Sequence, residues 1–309
     1  MDPLSEVLSL LKMRSYVSSG FDAGGDWSLR FQLQSDIIKC YAVEDGACWL
    51  AVDGVEAPVW LEKGDCFVLP SGRPFRLTSD LRLPPMDSRQ VFPPAQPGGV
   101  VQLNGGGALF LVGSRFTVSG GHAPALLRMM PAIVHVRKTS DQAAIRWSVE
   151  RMREELRDSR PGGELIARHL AHMMLVQTLR LHLDEGDLEP GWFAALTDPR
   201  LGAAIRAMHE APARRWTLQS LASEAGMSRT VFAQRFRETA GETPMDYLTR
   251  WRMLLACESL DAERQPVSTV SRALGYESES AFSSAFKRVI GCTPGKYART
   301  SRGDSAARA

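Results

Sequence analysis

The sequence predicts an α+β chain of two domains: an N-terminal all-β barrel or sandwich followed by two long helices, then an all-α C-terminal domain. Three observations predict it. Short apolar runs broken by Gly, Pro and Asp fill residues 27–136, as strands separated by turns do. Near residue 141 the apolar period changes to that of a helix. Towards the end, FRETAGETPMDY (236–247) returns as FKRVIGCTPGKY (286–297). A chain of 309 residues is long enough for two cores.

The N-terminal MDPLSEVLSLLK starts acidic and is apolar only at helical spacing, which fits neither a secretory signal nor a membrane span. From residue 27, LRFQL, KCYAV, CWLAVDG, CFVLPSG, ALFLVG and AIVHV read as strands. Residues 80–106, rich in proline and glycine, cannot sustain a helix or a central strand and read as a long surface loop. AIRWSVERMREELRD then places Ile145, Val149, Met152 and Leu156 at helical spacing, and ELIARHLAHMMLVQTLRLHLDEG continues with a broader apolar stripe. Asp141 and Pro161-Gly162-Gly163 punctuate these helices, which can pack on their own chain or form a dimer seam. His169 and His172, beside Met173, read as packing or surface groups, because no carboxylate stands at matching spacing to complete a metal site.

The formal charge of +2 hides an asymmetry. Residues 200–309 hold 17 Lys or Arg against 11 Asp or Glu, a net of +6, and the remaining residues hold 20 against 24, a net of −4. A basic C-terminal third on a mildly acidic body suits a nucleic-acid-binding module joined to something else. The five cysteines, Cys40, Cys48, Cys66, Cys257 and Cys292, are odd in number and irregularly spaced. That argues against a secreted disulfide framework and for a reducing cytoplasm.

The repeat explains the basic third. In TLQSLASEAGMSRTVFAQRFRETAG, Leu218, Leu221, Ala222 and Ala225 make one face of a short helix, Gly226 can stop it, and Ser228 can cap a second helix. That second helix is expected to bury Val231, Phe232 and Phe236, which completes a helix-turn-helix pattern. VSTVSRALGYESESAFSSAFKRVIG repeats the construction with Gly275, Ser278, Phe282 and Phe286. The copies are offset by 49 residues before the turn and 50 after it, so the second turn is one residue longer. The units cover about residues 217–239 and 267–290, and PMDYLTRWRMLLACESLDA between them reads as one stiff helix. Duplex DNA presents its major groove again after each turn, so two such units suit successive groove segments. With Phe232 and Phe236 inward, 100° per residue turns Thr230, Gln234 and Arg237 outward, with Ala233 at the flank. The second outward set is Ser280, Ser284 and Lys287, flanked by Ser283. Gln can address adenine bidentately, whereas Ser and Ala permit close approach with less informative contacts. Arg229, Arg235, Arg237, Lys287 and Arg288 are candidate phosphate contacts.

Residues 200–300, with DPRLGAAIRAMHEAPARRWTLQSLA leading in and GYESESAFSSAFKRVIGCTPGKYAR closing, resemble the DNA-binding domain of the AraC/XylS family of bacterial transcription regulators. DPLSEVLSLLKMRS, DGACWLAVDG and GDCFVLPSGRPFRL resemble the cupin-type ligand-binding domain of one branch of that family. The resemblance implies a cupin-like sensor over residues 1–138, a linker and dimerisation segment over 139–190, and a double helix-turn-helix domain over 191–309. It implies a homodimer that binds promoter DNA, meets RNA polymerase where it activates, answers an unknown small-molecule effector or a reactive species, and touches no membrane.

One departure bears on chemistry. Metal-binding cupins resemble G-x5-P-x-G-x2-H; here Gly64, Pro70 and Gly72 are in place, but Phe75 stands at the histidine position. Tyr41 stands where related regulators carry histidine, and no histidine precedes His122. A cupin oxygenase needs His and carboxylate ligands in these strands, so the alternative of a cupin-type enzyme recedes, and no metal or cofactor is expected. Two sensor chemistries stay open. A thiol among Cys40, Cys48 and Cys66 could respond to oxidants, Cys48 first because the resemblance places a cysteine there too. Arg73 and Arg76, flanking Phe75, could bind an anionic ligand in the barrel mouth.

Overall fold

The computed structural model describes residues 2–34, 36–92, 99–119, 122–127, 129–137, 143–158, 160–184, 186, 188–261 and 265–306. In chain order the elements are α1 (Pro3–Leu10), β1 (Arg14–Ala23), β2 (Ser28–Phe31), β3 (Ile37–Val52), β4 (Val59–Glu62), β5 (Cys66–Leu69), β6 (Phe75–Thr78), β7 (Met86–Asp87), β8 (Val100–Leu103) and β9 (Leu109–Thr117). Then come α2 (Ala123–Leu127), β10 (Val134–Val136), α3 (Ala143–Asp158), α4 (Gly163–Asp184), α5 (Trp192–Thr197) and α6 (Pro199–Glu210). The last elements are α7 (Leu218–Glu224), α8 (Arg229–Ala240), α9 (Pro244–Asp261), α10 (Val267–Ala273), α11 (Glu279–Ile290) and α12 (Pro294–Ala306). The chain forms two compact units, one of Met13–Val118 with Pro131–Glu185, the other of Met1–Lys12, Ser119–Met130 and Gly186–Ala309.

The β unit is a curled sheet in which β3 does most of the connecting. Its first half pairs with β5 and β9, and its second half with β4 and β6. KCYAV and CWLAVDG, expected as two strands, are therefore one. A bulge between Val43 and Asp45 joins them, with Gly46 at a φ of +75° where a Cβ would lie 1.9 Å from the Ala108 carbonyl oxygen. The bulge has a purpose in the packing. Tyr41 and Val43 face the interior before it and Cys48, Leu50 and Val52 after it, and only an odd insertion keeps both sets inward. Phe67, Leu69, Phe75, Leu77, Leu109 and Leu111 complete this core.

Residues 80–106 differ from the expected bare loop. Despite its prolines the segment contributes β7 and β8, which pair in parallel with β2 and β1 at the sheet margins; its residues 93–98 lie outside the described residues. Strands β1, β4 and β6 also have no counterpart among the expected strand runs. Helices α3 and α4 pack on each other, and α4 lies against β1, β5 and β10. They bury Val149, Met152, Ala171, Met174 and Leu175 but leave Trp147 55%, Leu165 58% and Ile166 43% exposed. The expected helix-start residue Asp141 lies outside the described residues.

The helical unit takes in more than the C-terminal third. Helix α1, capped by Asp2 through the Ser5 N–H and started by Pro3, packs against α6 and buries Leu4, Val7, Leu8 and Leu10. Polar contacts fix it in register. The Trp192 indole N–H donates to the Tyr247 hydroxyl (3.0 Å), which is 2.7 Å from His209 Nε2, and His209 Nδ1 is 2.7 Å from Glu6 Oε2. Burial pushes His209 down to about 3. The neutral ring thus accepts from Tyr247 and donates to Glu6, and every donor in the chain has a taker. His122, in the 119–130 segment, bridges the Leu10 carbonyl (2.9 Å) and the Tyr297 hydroxyl (3.1 Å), while Lys12 pairs with Glu258 at 2.9 Å. Residues 1–12 and 119–130, expected within the sensor segment 1–138, thus group with the C-terminal helices.

Candidate nucleic-acid interface

Helices α7 and α8, and again α10 and α11, are built from the same local parts. Thr217 and Ser220 form a capping box at α7; Gly226 and Gly275 take left-handed conformations in the turns, at φ +61° and +78°. At Gly275 a Cβ would sit 2.2 Å from the Ala213 carbonyl oxygen, so that turn tolerates no side chain. Ser228 accepts from the Val231 N–H at 3.4 Å, and Ser278 from the Ala281 N–H at 3.1 Å. Both second helices end on a left-handed glycine, Gly241 and Gly291. The 18-residue helix α9 touches α7 and α8 as well as α10, α11 and α12.

The phenylalanine pairs orient both second helices. Phe232, Phe236, Phe282 and Phe286 are fully buried. Phe236 packs edge-on against Tyr247 at 5.8 Å, and Phe286 against Tyr297 at 5.6 Å. Thr230, Gln234 and Arg237 are consequently exposed, as are Ser280, Ser284 and Lys287, with Ala233 and Ser283 half-buried at the flanks. Val231 corrects the expectation. It is 54% exposed, because it stands about 100° round the helix from Phe232.

The expected residues of α8 gather on one surface. Arg229, Thr230, Ala233, Gln234 and Arg237 line an open groove of about 850 Å³ with Glu238. Gln234 donates to Glu238 at 2.9 Å, so its amide is held along the helix. The cations divide. Arg235 donates to Asp198 at 3.0 Å, the carboxylate that also caps α6, so this arginine ties α8 to its own unit. Arg229, Arg237 and Lys287 have no carboxylate partner among the described residues, and Arg288 lies near Tyr276.

In the β unit the two sensor chemistries meet obstacles. Cys40, Cys48 and Cys66 are buried free thiols. Burial pushes Cys40 and Cys48 up to about 12 and Cys66 well above its ordinary value, so each is a protonated packing group in this conformation. Arg73 and Arg76 do not frame an anion site. Strand alternation turns Phe75 and Leu77 inward and Arg76 outward, where it donates to Ser28 Oγ (2.7 Å) and to the carbonyls of Asp80 and Leu83. Arg73 is exposed and donates to the Asp53 carbonyl at 3.4 Å. Tyr41 points inward and stacks on Phe67 at 5.0 Å. Among the described residues no three His, Cys, Asp or Glu side chains are grouped to hold a metal ion. His172 packs edge-on against Phe116 and donates to the Arg168 carbonyl. No helix is long and apolar enough to cross a membrane among the described residues.

A family model described as Cupin matches residues 2–184, and one described as Helix-turn-helix domain matches residues 221–300. The chain is 41% identical over 299 residues to a Streptomyces antibioticus protein named as an AraC-like transcription regulator, covering 96% of this chain and 98% of that one. It is 30% identical over 298 residues to the RCS-specific HTH-type transcriptional activator RclR of Escherichia coli strain K12, covering 96% and 97%. The crystal structure of ToxT from Vibrio cholerae O395 aligns over 93% of this chain and 96% of that one, at 12% identity and a TM-score of 0.37.

Proposed function

The chain belongs to the AraC-like transcription regulators with a cupin N-terminal region, and from that premise we propose that α8 and α11 are two reading heads for promoter DNA. A cytoplasmic homodimer presents them, under control of a small molecule or reactive species sensed in the β unit. The observation that supports this reading is the row of short polar residues exposed at equal positions of α8 and α11, beside cations that lack carboxylate partners among the described residues. Thr230, Ala233 and Gln234 face base edges in the first unit, and Ser280, Ser283 and Ser284 in the second. Arg229, Arg237, Lys287 and Arg288 hold phosphates; Arg235 stays in its ion pair. The first unit reads sequence more sharply, because Gln234 offers a donor and an acceptor where Ser284 offers one hydroxyl. The sensor acts by shifting a population between arrangements that do and do not present both heads. RNA polymerase is the further partner where the outcome is activation.

Titration of full-length protein with a promoter duplex at several salt concentrations tests this. Arg229→Ala and Arg237→Ala should each weaken binding on all sequences and lower the salt slope by about 1, whereas Gln234→Ala should relax preference at one base pair by about 1–3 kcal/mol. A salt-independent affinity would sink the reading.

Dimerisation is assigned to the face that α3 and α4 leave uncovered. Trp147→Glu with Ile166→Glu should convert the dimer to a monomer in sedimentation equilibrium, with the helical circular dichroism unchanged, since both side chains are exposed in the single chain. An unchanged mass places the seam elsewhere.

A further inference from the structure

Among the described residues lining the groove along α8, one carries a carboxylate, and it is Glu238. Its side chain is exposed, one helical turn beyond Gln234, whose amide donates to it at 2.9 Å. Glu238 forms no ion pair among the described residues, and Arg235, three positions earlier, is held by Asp198. The repeat fills the same place differently. The 50-residue offset sets Arg288 against Glu238 and Lys287 against Arg237, so one reading face has a carboxylate where its copy has a guanidinium.

Stability does not account for that carboxylate. Glu238 lies in the last turn of α8, which ends at Ala240, and the unpaired carbonyls of a helix end disfavour negative charge. Its bond to Gln234 is an exposed pair of a kind that adds little to a helix. On a surface that meets phosphates, a negative charge also weakens binding to every sequence alike. Only donors on the DNA offset such a group, and the major groove carries two kinds, the amino groups of cytosine and of adenine. Cytosine is the better match, because adenine sets its N7 acceptor beside the amino group. Guanine and thymine present acceptors there, which repel a carboxylate.

We propose that Glu238 is a specificity-determining residue of the first reading head, its carboxylate accepting from the amino group of a cytosine one or two base pairs from the position that Gln234 reads. The proposal rests on the reading of α8 as a head for DNA. Four residues of helix rise about 6 Å, the span of one or two base-pair steps of about 3.4 Å. An ionised carboxylate only accepts, so it is the Gln234 NH2 that faces Glu238, and the Gln234 Oε1 stays free for a base of its own.

Selection of duplexes from a randomised library by full-length wild type, Glu238→Ala and Gln234→Ala, read by sequencing, tests it. Wild type should select a cytosine that Glu238→Ala no longer selects, one or two base pairs from the position that Gln234→Ala relaxes. Titration of the selected duplex with each base in turn at that place should show wild type favouring cytosine over guanine or thymine by about fivefold or more. Glu238→Ala should lose this gap, and Glu238→Gln, whose amide also donates, should admit guanine. Both residues are exposed, so the far-ultraviolet circular dichroism should not change; Glu238→Gln carries the test if the alanine variant does not fold. A selected sequence that Glu238→Ala leaves unaltered, one altered only at the Gln234 position, or a lost base other than cytosine overturns the proposal. If Gln234→Ala relaxes a position and Glu238→Ala none, only the role of Glu238 falls; if wild type selects no duplex, the reading of α8 falls with it.

Discussion

Phe236→Ala should destabilise the helical unit by about 3–5 kcal/mol and abolish promoter binding, and Phe286→Ala should do the same. Each ring is fully buried and packs on the next helix, Phe236 of α8 on Tyr247 and Phe286 of α11 on Tyr297. Alanine would leave a ring-sized void at a junction of three helices, in the range where Phe-to-Ala losses fall. The neighbouring Val231→Ala gives the contrast. At 54% exposure it should change stability by less than about 0.5 kcal/mol. Urea unfolding read by far-ultraviolet circular dichroism measures all three. Equal costs for Val231 and Phe236 would show that α8 is rotated from the orientation described.

Glu6→Ala and His209→Ala should each destabilise the helical unit, His209→Ala by about 2–5 kcal/mol, and the pair should couple by about 0.5–3 kcal/mol in a double-mutant cycle. Removing the imidazole takes away a ring stacked on Trp251 at 3.9 Å, and it leaves Glu6 without its 2.7 Å donor and the Tyr247 hydroxyl without its acceptor. The Tyr247 hydroxyl is buried, and a buried polar group so stranded is expensive. Strict additivity would mean that α1 is undocked in solution, so the cycle tests the placement of the N-terminal helix as well as the strength of the network.

Local signals were legible in the sequence, and distant ones were not. Ser228 and Ser278 cap the helices assigned to them, the turns at Gly226 and Gly275 fall where the repeat requires, and α9 runs unbroken, because caps, left-handed glycines and apolar spacing act within a few residues. The same locality misled at Asp45-Gly46, where a turn signal serves a bulge inside one strand. It also misled at Val231, whose apolar character does not fix its angle round the helix. Arg76 looked like a ligand-binding group until β6 gave it a side of the sheet. Lys39 carries no local sign of its burial, since a lone lysine in a strand reads as surface and only the register of β3 turns it inward. The docking of α1 was out of reach: His209 lies 203 residues from Glu6, and Tyr297 lies 175 from His122.

That 203-residue separation sets an order of events on the ribosome. At about 5–20 residues per second, Glu6 waits roughly 10–40 s for His209, while β1 through β10 are already complete and free to close. Helix α1 is therefore made well before the helix it packs on, and until that helix emerges its leucines have no partner there.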